Sequence, residues 1–298
     1  VNRPVVVLDA CVLIPMPLCD TLLRAAEKSL YRFHTSPKIL EETHRNLVKL
    51  FTRRGELNPE NMASRKIEAI KKAFPGVMVE PCDDLISSIQ NFPDPNDCHV
   101  LAAAIEVQSI QKNSGLDALI LIVTHNINDF PSDILCRYGC RATSPDEFLL
   151  NLAKFNGSKI LFDLLNQQAF RKMSIINLLE KLENGLKQTK NLKKSQFIQL
   201  ILQDYFLDQL LKDIRNIVEK IGYKDIKNVQ SLVGKNYQCF FKDGNLQIRT
   251  SSEELLVEYN DCLITVNNIS CRDFKIFDSF VIEAKKHIDI FKVPPYYQ

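Results

Sequence analysis

No stretch of this sequence approaches the ~20 consecutive apolar residues that a membrane-spanning helix needs. The most apolar runs, at 5–8 and 118–123, are of strand length and read as buried strands. No basic-then-apolar leader opens the chain, so a cytoplasmic rather than a secreted protein is expected. Internal repeats and low-complexity tracts are lacking as well. So is a paired-cysteine framework. The nine cysteines, an odd number, stand irregularly at 11, 19, 82, 98, 136, 140, 239, 262 and 271. Cys136 and Cys140 sit close together, but no second pair and no nearby His completes a zinc site. Reduced thiols packed in the core are the expectation.

The 298 residues suffice for one large core or two modest ones. A hydrophobic content of 45% and a charged content of 25% are those of an ordinary globular protein. The net charge of +2 neither demands nor excludes a nucleic-acid partner. Its distribution is more informative. Residues 1–150 carry 16 Lys/Arg against 19 Asp/Glu, whereas residues 151–298 carry 22 against 17. An acidic half beside a basic half suits a metal site next to a phosphate-binding surface.

The first half alternates strand and helix patterns. Strands are expected at 5–9, 31–35, 77–80, 118–124 and 141–143. Helices are expected at 17–29, 36–54, 59–74, 83–90 and 94–112. Ser36-Pro37, Asp94-Pro95 and Ser144-Pro145 each read as a helix cap followed by Pro at the first helical position. This rhythm predicts an α/β domain, a mostly parallel sheet flanked by helices, over residues 1–150. Residues 148–221 read as helical throughout apart from a basic break at 185–195, which makes 151–222 a helical extension. From 237 the pattern turns to strands at 237–241, 246–250, 255–259 and 263–266. Asp243-Gly244 marks a hairpin between the first two. A helix near 277–288 closes a small antiparallel β (α+β) region, 223–298.

Acidic residues stand where such a sheet exposes its chemistry. Asp9 follows four apolar strand residues, and ligands of open parallel sheets sit beyond the carboxyl ends of strands. Its bland alternative is a capping Asp. On the 36–54 helix, Ile39, Thr43, Leu47 and Leu50 mark the buried stripe. Glu42 falls on the edge of that stripe beside Asn46, and Glu41 falls toward solvent. Asp94 is a good cap and Asp97 the third helical residue, and both could simply complement the helix dipole. The Ala102-Ala103-Ala104 run, however, lets this helix approach the sheet closely and brings Asp97 near the strand ends. Asp97 is therefore read as a ligand, with Asp94 as a cap or support. After the strongest strand come Thr124, Asn126 and Asp129, of which Asn126 and Asp129 are both candidates for a fourth position. Acids from several element ends, without a His pair or paired Cys, favour oxygen ligation of Mg²⁺ or Mn²⁺. One or two such ions can drive phosphodiester hydrolysis.

Four segments carry a family resemblance: 7–13 with Pro15, Pro17 and Asp20; 39–42 with Arg45, Asn46 and Leu47; 93–104; and 123–131. Together they resemble the PIN domain, in particular the VapC-like ribonuclease toxins with a helical C-terminal extension. The resemblance implies an RNase directed at single strands that uses Mg²⁺ or Mn²⁺ and leaves a 5′-phosphate and a 3′-hydroxyl. It implies catalytic and metal-site roles for Asp9, Glu42 and Asp97, with Asn126 or Asp129 at the fourth place and Asp94, Thr124 and Asn46 in support. An antitoxin partner and a homodimer are implied in the same way. Cys19 and Cys98 stand where Arg is commoner in this branch, and Asn96 where a further Asp is usual. The resemblance runs more weakly from 144 to about 186.

Two basic groups could grip RNA: Lys49, Arg53 and Arg54 on one helix, and Lys187, Lys190, Lys193 and Lys194 in the break. A solvated surface explains each group as well. A PIN nuclease of housekeeping RNA processing would share the same acids, and a catalytically idle PIN scaffold would bind protein or RNA. A haloacid-dehalogenase-type phosphatase also opens on a strand-end Asp. It needs a second Asp two residues on, where Cys11 stands.

Overall fold

Val5–Leu8 form β1, and all four side chains are buried. Full burial of such side chains stabilises by roughly 1.5–3 kcal/mol each, so this strand anchors the core. The computed structural model describes residues 3–81, 83–89, 92–116, 118–169, 173–186 and 195–202, and the strands of a second sheet between 232 and 271. After β1 come α1 (Ala10–Leu13), α2 (Met16–Glu27), β2 (Arg32–His34), α3 (Pro37–Arg53), α4 (Pro59–Ala73) and α5 (Asp83–Ser88). Then follow α6 (Cys98–Asn113), β3 (Ile120–Val123), α7 (Ser132–Arg137), β4 (Cys140–Thr143), α8 (Pro145–Asn156), α9 (Ser158–Ala169) and α10 (Ile175–Leu186). Single 3₁₀ turns stand at Pro95–Asp97 and Ile127–Asp129.

The first sheet is four-stranded and parallel, in the order β2-β1-β3-β4. The chain leaves β1 for β2 on one side and later inserts β3 on the other. The strand order therefore reverses between β1 and β3, and in open α/β sheets that reversal opens a crevice at the strands' carboxyl ends. Leu8 pairs with Val123 at this end, so Asp9 and Thr124 are the next residues out. The α/β architecture expected for this half is the one observed.

Local chemistry accounts for the helices around the sheet. The Ser36 hydroxyl accepts from the Ile39 amide at 3.3 Å, and Pro37 occupies the first turn of α3. The buried stripe of α3 is Ile39, Leu40, Thr43, Leu47 and Phe51, turned slightly from the one predicted, since Leu50 is only part-buried. On α6, Ala102, Ala103 and Ala104 are fully buried, and this small face lets the helix lie close against β1, β3 and β4.

Several expectations need correction. The strand expected at 77–80 reduces to a single parallel bridge between Thr35 and Met78. Gly76, at φ +85°, turns the chain just before it, and Pro81 follows Glu80, so the ladder cannot extend. The helical pattern expected from 148 to the basic break at 185–195 is divided further, at Gly157, whose φ of +88° lies outside helical space, and again between α9 and α10. The short helices α1 and α7 were not anticipated. Of the cysteines expected in the core, Cys19, Cys98 and Cys140 are buried, while Cys136 is exposed.

Helices α8–α10 belong to the same compact unit as the parallel sheet, which spans Val1–Ile201. Helix α9 packs on α2 and α8, and α10 packs on α2 and α9. Gly185 lies against Leu18 and Pro15: a Cβ there would stand 3.4 and 3.5 Å from their Cβ atoms, an ordinary van der Waals contact.

The second unit, Leu202–Gln298, contains a six-stranded antiparallel sheet in the order β10-β9-β8-β7-β6-β5. Its strands are β5 (Leu232–Val233), β6 (Tyr237–Lys242), β7 (Asn245–Thr250), β8 (Leu255–Asn260), β9 (Leu263–Val266) and β10 (Ile269–Cys271). Lys242 pairs with Asn245 across the expected hairpin. The Asp243-Gly244 turn and the helix expected near 277–288 lie outside the described residues, as do 203–221. Among the described residues no helix is long and apolar enough to cross a membrane.

Candidate active site

Asp9 leaves β1 in extended conformation and is 3% exposed. Its amide donates to the Val123 carbonyl at 3.1 Å, which ties the exits of β1 and β3 together. The buried Thr124 hydroxyl donates to Asp9 Oδ2 at 2.6 Å and accepts from the Asn126 amide at 3.0 Å. Cys11 Sγ donates to the same carboxylate oxygen at 3.1 Å and accepts from the His125 amide at 3.3 Å. Burial, then the Asp9 charge, hold the Cys11 thiol well above its ordinary pKa, so it serves as a neutral donor. Lys66, reaching from α4, donates to the Leu13 carbonyl at 2.6 Å and caps the short helix that follows Asp9.

Glu42 is part-buried on α3, whereas Glu41 is exposed. The Asn46 amide donates to Glu42 Oε1 at 3.3 Å. His99 Nε2, from α6, stands 3.3 Å from Glu42 Oε2. That approach is close enough for an ion pair but too poorly aligned for a hydrogen bond, which leaves Nε2 without a hydrogen-bond partner among the described residues. The His99 imidazole holds Glu42 below the usual carboxylate pKa. Burial opposes charge on His99, yet Glu42, the Asn96 carbonyl and Asp9 outweigh it and raise its pKa.

Asp97 sits where the 3₁₀ turn Pro95–Asp97 passes into α6, and its side chain caps nothing. The helix expected to open at Asp94 begins instead with this tighter turn. Asp94 Oδ1 takes the Asn96 amide at 2.8 Å, and the Asp97 amide donates to the Asp94 carbonyl at 3.0 Å. Asp97 Oδ2 is buried without a partner among the described residues. Burial, followed by the charges of Asp9, Asp94, Glu42 and Asp129, pushes its pKa up to about 6. The five carboxylates thus share one field at the mouth of the β1/β3 crevice. Asn126 and Asp129 flank it from the loop after β3, at the start and end of the second 3₁₀ turn.

The donors suit a hard divalent cation in kind. They are oxygens, one of them orphaned, held in a repulsive field that a cation would neutralise. As placed, no three or more His, Cys, Asp or Glu among the described residues surround one point closely enough to hold an ion. A cation would have to draw these side chains together.

Residues 5–127 match the family model of the PIN domain. The PIN segment therefore contains Asp9, Glu42, Asp97 and Asn126, while Asp129 and β4 lie beyond its end. PIN domains are generally nucleases that use divalent metal ions, and nuclease chemistry is the class this segment points to. The crystal structure of PAE2754 from Pyrobaculum aerophilum is similar over 51% of this chain and 90% of its own, at 17% identity and a TM-score of 0.32. That likeness is too slight to bear on the PIN segment. No curated protein matches the chain in sequence.

Of the basic residues, Lys49, Arg53 and Arg54 are exposed at the end of α3. Lys187, Lys190, Lys193 and Lys194 lie outside the described residues. Sequence alone assigns no site role to His99, Lys66 or Cys11. A histidine two residues after Asp97 and a thiol two residues after Asp9 were the available signals. Their partners are set by packing between distant segments.

Proposed function

We propose that the chain is a metal-dependent endoribonuclease, the toxin of a type II toxin–antitoxin pair in the VapC-like branch of PIN domains. The observation that carries the catalytic part is Asp97. A buried carboxylate oxygen without a partner among the described residues, in the field of four further carboxylates, is an unfavourable arrangement for a protein alone. Strain of this kind is characteristic of sites built for a ligand. The toxin assignment, with an antitoxin partner and a homodimer, draws on the motif resemblance at 7–13, 39–47, 93–104 and 123–131.

In this reading Asp9, Glu42 and Asp97 hold Mg²⁺ or Mn²⁺, with Asn126 or Asp129 completing the set. The bound ion would supply an activated water and positive charge at the leaving oxygen of an RNA phosphodiester. Thr124 and Cys11 fix the Asp9 carboxylate by donating to it. Asn46 and His99 orient Glu42 from two sides. Asp94 shapes the turn that aims Asp97. The products would carry a 5′-phosphate and a 3′-hydroxyl.

The deciding assay is cleavage of labelled total RNA with Mn²⁺, Mg²⁺ or EDTA, with wild type beside Asp9→Asn and Asp97→Asn. Cutting by wild type alone, abolished by EDTA, supports the nuclease. Equal cutting by all three proteins removes the site assignment. A second reading, an idle PIN scaffold, is favoured by one observation: no three ligands stand ready around a common point. Absence of both cutting and metal binding in wild type would select it.

A further inference from the structure

A cleft of ≈ 790 Å³ opens beside the acid cluster. Cys11 and His125 line it where it meets Asp9, and Cys11 is bonded directly to Asp9 Oδ2. Its walls come from separate parts of the chain: the Pro15–Met16 turn, Arg54 at the end of α3, Met173, and Lys181 and Asn184 on α10. No carboxylate lines it. Arg54 and Lys181 are exposed, and neither is ion-paired among the described residues. Met16 is 51% exposed, an apolar side chain with no structural use for that exposure. Cys11 therefore stands between the Asp9 carboxylate of the acid cluster and a cleft whose charged lining residues are the cations Arg54 and Lys181.

We propose that this cleft seats the single-stranded RNA next to the scissile bond, with Arg54 and Lys181 each taking a backbone phosphate. A polyanion spanning the boundary gains from both cations, while the acids beyond are left for the ion-dependent step. Met16, Met173 and Pro15 offer a soft apolar wall to unstacked bases, and the Asn184 amide can reach a base edge. The volume falls in the ~300–1,000 Å³ range of small-molecule sites, which suits a short single strand and not a duplex. Lys181, Asn184 and Met173 lie outside residues 5–127, so the helical extension builds part of the substrate path. The choice of RNA as the polyanion rests on the nuclease reading, whereas the cleft and its cations do not.

The test uses the full chain in EDTA, where cleavage is off, and a short fluorescein-labelled single-stranded RNA followed by anisotropy across a KCl series. Arg54→Ala and Lys181→Ala should each weaken binding and lower the slope of log affinity against log salt by about 0.7, the value for one phosphate contact on a single strand. Lys181→Arg should keep the wild-type slope. Lys154→Ala, which removes an exposed charge that does not line the cleft, should change neither. Thermal melts of all four variants exclude misfolding as the cause. Wild-type affinity and slope in both alanine variants would overturn the cleft, even if wild type cleaves RNA. Loss of slope in both, with no cleavage under any metal, would uphold the cleft and sink the nuclease reading. Lys181-dependent binding of an acidic peptide but not of RNA would overturn RNA as the occupant.

Discussion

Thr124 donates a 2.6 Å hydrogen bond to Asp9 across the junction of two neighbouring parallel strands. The same hydroxyl accepts from the Asn126 amide at 3.0 Å, so it links the carboxylate to the loop that carries Asn126 and Asp129. Thr124→Val keeps the shape and removes the hydroxyl's hydrogen bonds, taking one donor from the buried Asp9 carboxylate and one acceptor from the part-buried Asn126 amide. The expected cost is about 1–3 kcal/mol in urea unfolding. Partners that hold a ligand carboxylate typically matter by about 10–100-fold in metal affinity, so Mn²⁺ titration calorimetry should show a loss of that order. An unchanged unfolding midpoint would mean that this hydroxyl does not organise the crevice.

Asp97 is penalised in the metal-free fold. Its pKa of about 6 in the folded chain exceeds the ordinary 3.8, so between those values the folded state holds more proton than the unfolded state. Metal-free stability should accordingly fall as pH rises from about 4 to about 6 and then level off. Asp97→Asn loses no cap bond, because the side chain makes none. In EDTA at neutral pH the variant should melt above wild type. With Mn²⁺ the order should reverse, since only wild type gains binding energy. Differential scanning fluorimetry across pH, with and without metal, reads both effects. A variant that melts below wild type in EDTA would refute the idea of a strained carboxylate.

The Glu42–His99 pair predicts two further proton-linked contributions: that of His99 is lost as pH rises, as for Asp97, whereas that of Glu42 is lost as pH falls. His99 is raised above its ordinary 6.5 despite burial, and Glu42 is lowered. The His99 contribution is complete below the unfolded-state value and is lost as pH rises through the higher folded value. The Glu42 contribution persists until pH falls through its own depressed value. Histidine Cε1–H NMR titration of metal-free protein should place His99 above 6.5. Glu42→Gln should bring it down, leaving burial as the largest remaining influence. A His99 titration that Glu42→Gln does not move would separate the two residues.

What could be read from the sequence follows the range of the interaction. β1 was legible because four consecutive apolar residues and a following Asp form a local pattern, and α3 because Ser36-Pro37 is a local cap. Asp9, Asp94, Asp97 and Asp129 stand at element ends, where a parallel sheet gathers its chemistry, whereas Glu42 lies within α3 and was legible only from its place on the edge of the buried stripe. Gly157 offered a break signal between α8 and α9, but apolar spacing on both sides of it masked the signal. The Glu42–His99 contact was not legible, since it depends on how α3 and α6 cross. Nor was Lys181, whose position beside Cys11 and Arg54 follows from α10 packing on α2, a contact between segments more than a hundred residues apart. Local periodicity says which face of a helix is buried, not which partner buries it.

That packing of the helical extension has its own fastening. Asp146, in the first turn of α8, accepts from the Gln196 amide at 3.2 Å, the Phe197 amide at 3.3 Å and the Ser195 hydroxyl. It thereby caps the helical turns at 196–202 from a different helix, while the Ser195 hydroxyl accepts from the Ile198 amide at 3.0 Å. Phe197, Ile198 and Ile201 of the capped segment are buried. Asp146→Ala leaves two helix-terminal amides unpaired and removes a negative charge from the positive end of a helix dipole. Hydrogen bonds to a charged acceptor contribute about 1.5–3 kcal/mol each, and a lost cap typically costs ~1 kcal/mol, so a total loss of about 1–3 kcal/mol is expected. The readout specific to capping is amide hydrogen exchange. Gln196, Phe197 and Ile198 should exchange faster in the variant, while the β1 and β3 amides keep their protection apart from the global shift. Asp146→Asn, which retains an acceptor oxygen, should recover part of the loss. Uniform acceleration at every amide, with no excess at 196–198, would mean that Asp146 contributes to the fold in general and does not fasten this segment.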